Sequence, residues 1–325
     1  MEATLSYRIE DAAAPTATAT VVVTDLLGAQ VAAVSVPDPV ATGQTLSCAF
    51  TCRLSPGTYR YHAEVVDSLG RAQVAAASAR LRVLPVFPTA SAVAGAVDWV
   101  SRRRGVVGLA VVDDRGVLRG CNLDTRFASA SVVKAMLLVQ YLRTHATIDS
   151  ETRQTLARMI RPSDNAAASS VFAVVGRSGL YACARLTGMT HFAVGSDWAL
   201  AQITAADQAR FFFAMDSYVL AQYRTWVRYL FSHIKPAHCW GIPEAATPAG
   251  WTVFFKGGYM PFGGGIVVHE ASRLERHGVV LSLVVLTSGH ESLDYGAATL
   301  RGAAQRVLGL PTSSHGAVPG VFAAF

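Results

Sequence analysis

Two prolines within the five residues Leu84-Pro85-Val86-Phe87-Pro88 separate two stretches of different hydrophobic period. Proline removes a backbone donor and fixes φ, so neither a strand ladder nor a helix runs easily through such a segment, and 85–88 is expected to be a linker. Before it, period-two or β-branched runs occur at Thr18–Thr24, Gln30–Val36, Tyr59–Val66 and Ala79–Leu84. Turn-formers divide them: Leu27-Gly28, Pro37-Asp38-Pro39, Ser55-Pro56-Gly57 and Asp67-Ser68-Leu69-Gly70. Short strands at this spacing predict an all-β sandwich over 1–84.

After the linker the period lengthens. Thr89–Arg104 sets Val93, Val97 and Val100 on one helical face. Val106–Val112 and Val117–Cys121 read as strands joined by the turn Asp113-Asp114-Arg115-Gly116. A long helical region is expected over Ser131–Ala221, then strands at Thr252–Lys256, Gly265–Glu270 and Val279–Thr287, and a last helix at Leu293–Leu308. A helical block between an early hairpin and three late strands predicts an α+β domain over 89–310, an antiparallel sheet flanked by helices. The Gly-, Ser-, Pro- and Ala-containing segment 311–325 is expected to be a loose tail.

The 325 residues fit two domains of about 150 residues each. With 51% hydrophobic and 15% charged residues the chain is not of the disordered class. No apolar run approaches about 18 residues, so no transmembrane segment is expected. The first residues, MEATLSYRIED, have neither a basic start nor an apolar stretch, so no leader is visible. The net charge is +6, but of 28 Lys and Arg only Lys134, Lys235 and Lys256 are lysine, and the arginines are scattered apart from Arg102-Arg103-Arg104. Without a basic stripe interleaved with aromatics, nucleic acid is not an expected partner. No interface pattern is readable, and a monomer is expected. Five cysteines are an odd number, too few for a disulfide scaffold. A straight strand would hold the Cα atoms of Cys48 and Cys52 about 13 Å apart, so a bridge between them requires a turn or bulge. No histidine joins the cysteines at zinc-ligand spacing, and neither metal nor cofactor is expected.

Three short motifs follow in order: Ser131-Val132-Val133-Lys134, preceded by Phe127-Ala128-Ser129-Ala130; Ser163-Asp164-Asn165; and Lys256-Gly257-Gly258 on a strand. Ser131 and Lys134, three apart, share one helical face. At a helix N-terminus the free N–H groups favour a developing oxyanion at Ser131. A serine hydroxyl needs a base, and a lysine becomes one when burial and a second cation lower its pKa. Lys256 can be that cation, Ser163 can pass a proton to a leaving nitrogen, and Asn165 can orient a substrate amide. Gly257 and Gly258 leave the strand edge open for an extended substrate.

The ordered triple resembles the penicillin-recognising serine hydrolases, specifically the class A β-lactamases. The resemblance covers about 90–308 and includes the opening helix, the hairpin VVGLAVVDDRGVLRG, the two strands after KGG and the closing helix. It implies a β-lactamase/transpeptidase-like fold with the site in a cleft between sheet and helical subdomain. It further implies Ser131 as acylated nucleophile, Lys134 as its base, Ser163 as proton relay, Lys256 as electrostatic partner and Asn165 as substrate contact. The oxyanion would be held by the N–H groups of Ser131 and Tyr259, with Gly258 beside the bound substrate. The substrate would be a β-lactam or a peptidoglycan-like peptide, and the place of action extracellular or in the cell envelope. The stretch LSPGTYRYHAEVVDSLGR resembles the last hairpin of immunoglobulin-like modules, which makes 1–84 an immunoglobulin-like spacer.

The departures are specific. Gly257 stands where the family carries Thr or Ser, removing a hydroxyl that helps hold a substrate carboxylate. The ExxLN motif that supplies the deacylating glutamate is absent; its counterpart HFAVGSDWALAQIT contains one acid, Asp197. Asp207 fits a helix cap and Asp164 a turn. The stretch from Ser131 to Ser163 is short for class A, so a cleft wall is expected to be missing. Trp198, Trp240 and Trp251 are candidates for cleft lining or core, Phe211-Phe212-Phe213 for helix core, and His238 and Cys239 for a loop contact. Two readings follow: an acyl-transferring hydrolase that acylates more readily than it deacylates, including a D-Ala-D-Ala carboxypeptidase-like version, and a non-catalytic protein that retains the cleft. An adhesion module would rest on residues 1–84 alone.

Overall fold

Alternation along Thr16–Thr24 buries Ala17, Ala19, Val21 and Val23, as a half-buried strand requires. The computed structural model describes residues 2–51, 53–73, 75–83 and 86–312, and the chain divides into the units Met1–Val86 and Phe87–Phe325. The first unit holds β1 (Glu2–Arg8), β2 (Thr16–Thr24), β3 (Gln30–Ser35), β4 (Val40–Ala41), β5 (Thr45–Thr51), β6 (Gly57–Asp67) and β7 (Ala79–Val83). One antiparallel sheet has the order β3-β2-β6-β7 with β4 beside β2; β1 and β5 pair separately. Leu5 and Phe50 of the pair pack with Val21 and Val23 of the larger sheet, and the Tyr61 hydroxyl donates to the Ser6 carbonyl at 3.1 Å. The two sheets therefore face each other across a small apolar core. The bridge between Cys48 and Cys52 lies outside the described residues, because Cys52 does, and so do Pro85 of the linker and residues 313–325 of the tail.

The second unit begins with α1 (Ala90–Ser101), capped by the Thr89 hydroxyl. Next come β8 (Val106–Val112), β9 (Leu118–Cys121), β10 (Phe127–Ala128), α2 (Lys134–Thr144), α3 (Ser150–Ile160), α4 (Asn165–Leu186), β11 (Gln202–Ile203), α5 (Ala205–Phe213), α6 (Met215–Tyr218), α7 (Arg224–Ser232) and α8 (Ile242–Ala246). The chain closes with β12 (Thr252–Phe262), β13 (Gly265–Arg276), β14 (Val279–Ser288) and α9 (Leu293–Val307). The antiparallel sheet has the order β12-β13-β14-β8-β9. Its central strands are buried along nearly their whole length, because α1 with α9, and α5, pack against it. Helices α2, α3, α4 and α7 form a second layer that reaches β12 through α7.

The helical stretch expected over Ser131–Ala221 is not continuous. Helix α4 ends at Thr187-Gly188, and the chain runs through turns, a short 3₁₀ turn at Trp198–Leu200 and β11 until Thr204 caps α5. Among the contacts that hold that crossing segment, β11 pairs with β10, and the Asp207 carboxylate accepts from the His191 N–H at 3.1 Å. Helix α5 covers the sheet instead of continuing the helical block. Helix α4 has 22 residues and is the one described helix long and apolar enough to cross a membrane. It bends at Gly176, where φ is 65°, and buries Ala167, Ala168, Val171, Leu180, Cys183 and Ala184 against neighbours that include α2 and α3.

Candidate active site

The segment before Ser131 is fastened from Phe127 to Ser129. Phe127 and Ala128 pair with β11, and the Ser129 N–H donates to the Ala201 carbonyl at 2.7 Å. Beneath them lies His269 of β13, fully buried. Its Nε2 bonds the Ala128 carbonyl at 2.9 Å and its Nδ1 accepts from the Thr287 N–H at 3.0 Å. That pair of partners fixes the neutral tautomer with the proton on Nε2, and burial pushes the imidazole down to about 4. Ala130 then takes φ 45°, a conformation that costs a side-chain-bearing residue energy and persists where its surroundings impose it. Ser131 follows in a 3₁₀ turn over Ala130–Val133, and α2 starts at Lys134. The nucleophile candidate thus sits one turn before the α-helix, half-buried.

Lys134 is fully buried and spends its three protons on one cluster: the Ser163 carbonyl at 2.6 Å, the Ser163 Oγ at 3.2 Å and the Asn165 Oδ1 at 2.8 Å. Lys256, 1% exposed, donates to the same Ser163 Oγ at 3.0 Å and to the Gly257 carbonyl at 2.7 Å. Burial pulls Lys134 down to about 8, with Asp164 opposing. It pulls Lys256 down to about 7, helped by the Lys134 charge and opposed by Glu270. A hydroxyl oxygen has two lone pairs and one proton. With both lone pairs of Ser163 occupied by ammonium groups, its proton is left to point at a third atom. Among the described residues, no group hydrogen-bonds the Ser131 hydroxyl.

The turn that presents Ser163 is built by its neighbour. The Asp164 carboxylate accepts from Ala167 N–H at 2.9 Å, capping α4, and from Arg158 at 2.6 Å; these hydrogen bonds hold it below the usual carboxylate range. Asp164 is therefore a turn-holding residue, as the sequence suggests. Ser163 itself has φ 58°. Asn165 opens α4, exposed, with its oxygen on Lys134 and its amide NH₂ unused by that bond.

The two glycines of β12 have different reasons. A Cβ on Gly258 would come within 2.6 Å of Ser131 N and 3.1 Å of the Ala130 side chain, so only glycine lets the strand approach the Ser131 turn. A Cβ on Gly257 would meet Trp240 at 3.4 Å and Glu270 at 3.5 Å, ordinary contacts. Trp240 also stands edge-on to Tyr259, which is half exposed. Glu270, opposite Gly257 in register, is fully buried with Oε2 accepting from the Ile242 N–H at 2.6 Å; burial drives it well above the carboxylate range.

The structure brings Ser131, Lys134, Ser163, Asn165, Lys256 and Gly258 into this one cluster, with Tyr259 next along β12. Trp251 is core, stacked on Phe87, and Phe211 and Phe212 are fully buried. Trp198 is not plain core: its ring centroid lies 4.9 Å from Lys134 Nζ. Asp197 is exposed and caps the turn that carries Trp198. His238 is pushed down by burial, by Lys256 and by Lys134, so it belongs to the electrostatics of the cluster. Sequence reasoning did not single out His269 or Glu270, although two ionisable residues inside an apolar strand were a signal. Among the described residues no three of His, Cys, Asp and Glu gather as a metal site.

The five-stranded antiparallel sheet with its flanking helices is a β-lactamase-like α+β fold. Solved structures agree. A β-lactamase from Sphaerobacter thermophilus matches with TM-score 0.57 and 19% identity, over 69% of this chain and 99% of that one. PBP-A matches with TM-score 0.58 and 16% identity, over 70% and 98%. An ancestral class A β-lactamase matches with TM-score 0.56 and 19% identity, over 67% and 99%. No family model and no curated protein matches the chain.

Proposed function

We propose that the chain is a serine acyl-transfer enzyme of the β-lactamase and penicillin-binding type. The observation that carries this is the Ser163 hydroxyl held between Lys134 and Lys256 at 3.2 and 3.0 Å, beside the Ser131 turn. Ser131 Oγ attacks an amide or ester carbonyl carbon, and its proton passes to neutral Lys134. The oxyanion forms near the N–H groups of Ser131 and Tyr259. The C–N or C–O bond then breaks as Ser163 gives its proton to the leaving atom and is reprotonated from the lysines. The product is an ester on Ser131, and two lysines pulled toward neutrality are what such a proton circuit needs.

Hydrolysis of that ester is slow in this reading. Asp197 is committed to a cap, and no glutamate occupies the segment 191–204. Gly257 offers no hydroxyl to a substrate carboxylate, so such a group is weakly held, which disfavours a D-Ala-D-Ala terminus. The first unit is proposed as an immunoglobulin-like spacer and the site of action as the cell envelope, both on resemblance. The free Ser131 hydroxyl favours a second reading, a binding protein that keeps the cleft without turnover. Intact mass after incubation with benzylpenicillin and with p-nitrophenyl acetate separates the two. An adduct on wild type that Ser131→Ala lacks supports the enzyme; no adduct from either reagent leaves the binding protein.

A further inference from the structure

The Trp198 indole packs beside the Lys134 ammonium. Trp198 is 9% exposed and its ring centroid lies 4.9 Å from Nζ. It is held from two elements. Its Nε1 donates to Ser169 Oγ of α4 at 3.2 Å, and the Trp198 carbonyl accepts from the buried Ser129 Oγ at 3.4 Å, two residues before Ser131. Asp197 fixes the short turn from the other side by accepting from the Ala199 N–H at 2.8 Å. The wall therefore spans the gap between the Ser131 segment and the start of α4.

We propose that Trp198 is a water-excluding positioning residue that prolongs the acyl-enzyme by denying a hydrolytic water access to Lys134. The inference rests on the acyl-transfer reading. Deacylation needs a water oxygen to attack the Ser131 ester carbon, the C–Oγ bond to break, and the water proton to reach Ser131 Oγ through a base. Lys134, three residues after Ser131 in sequence, is the base of the acyl-transfer reading. The Ser163 and Asn165 oxygens and the Trp198 ring take up the space around Nζ in which an added water would have to stand. Acylation is affected less: neutral Lys134 releases one of its three oxygen partners, and the proton comes from Ser131, three residues away in sequence, with no added molecule to be housed beside Nζ.

The test is a pulse-chase by intact mass on the full chain. Protein is acetylated with p-nitrophenyl acetate, freed of reagent, and followed as the acetyl mass is lost. Wild type is expected to keep the acetyl group. Trp198→Ala is expected to lose it about tenfold faster or more while its acylation rate falls by much less, and Trp198→Phe, which keeps the ring, is expected to resemble wild type. If Trp198→Ala has no cooperative melting transition, Trp198→Gln replaces it, with the same expectation. Equal deacylation rates in wild type and variant, or acylation and deacylation falling together, would overturn the inference. A wild type that acquires no acetyl group on Ser131 overturns the acyl-transfer reading itself, and the inference with it.

Discussion

Both units bury carboxylates in turns, as Asp113 and Asp207 do in the second, but among the described residues the second alone also buries lysines. In the first, the one buried charged residue among those described is Asp67, and it closes a turn: its carboxylate accepts from Leu69 and Arg71 N–H groups at 2.8 Å each and pairs with the Arg71 side chain at 2.6 Å. In the second, Lys134, Lys256 and Glu270 are buried with no salt bridge of 4 Å or less joining any of them to an opposite charge among the described residues. Burying ions without close partners costs stability, so they shift toward neutrality instead. Where a unit spends only local hydrogen bonds on a carboxylate, the purpose is structural. Where it holds two lysines against one serine hydroxyl, the proposed reading assigns that cost to proton transfer.

The largest expected effect tests that contrast directly. Lys134→Met should lower the acylation rate by about 10²–10⁴-fold, the range for a general base, in stopped-flow assays with p-nitrophenyl acetate. Asp67→Asn should lower the melting temperature of the first unit and leave acylation unchanged. A Lys134→Met enzyme that acylates normally would break the comparison.

The next effect comes from the glycines. Gly258→Ala should slow acylation strongly, since its Cβ would press on Ser131 N at 2.6 Å, while Gly257→Ala should stay close to wild type. Equal behaviour of the two would mean that the strand does not brace the Ser131 turn.

Much of this was legible. The motifs named the cluster because each keeps its chemistry within four residues, and the late strands were long apolar runs. The pair β1 and β5 was not, because β5, Thr45–Thr51, buries only Phe50 and its partner lies some forty residues away in sequence. His269 and Glu270 were hidden for another reason. Their roles arise from register, Gly258 opposite His269 and Gly257 opposite Glu270, and register follows from tertiary pairing rather than from local pattern. Trp198 gained its meaning when the crossing segment left the helical block and laid its turn beside α2.

The pH dependence sharpens the same contrast. The base must be neutral, and folding holds Lys134 near 8 and Lys256 near 7. Acylation should therefore rise with pH and level off above about pH 8, whereas an ordinary lysine would place the rise near 10.5. A rate still climbing at pH 10 would show that burial has not lowered the base. The smallest effect belongs to Asp197→Asn. As a cap it should cost at most about 1 kcal/mol and change neither acylation nor deacylation; faster or slower loss of the acyl group would make it a water activator.

The most direct measurement locates the acyl group. Wild-type protein acylated by benzylpenicillin or p-nitrophenyl acetate is digested, and the modified peptide is sequenced by mass spectrometry. The account predicts modification at Ser131 alone. A label on Ser163, on Lys134 or Lys256, or on no residue of the cluster would contradict it.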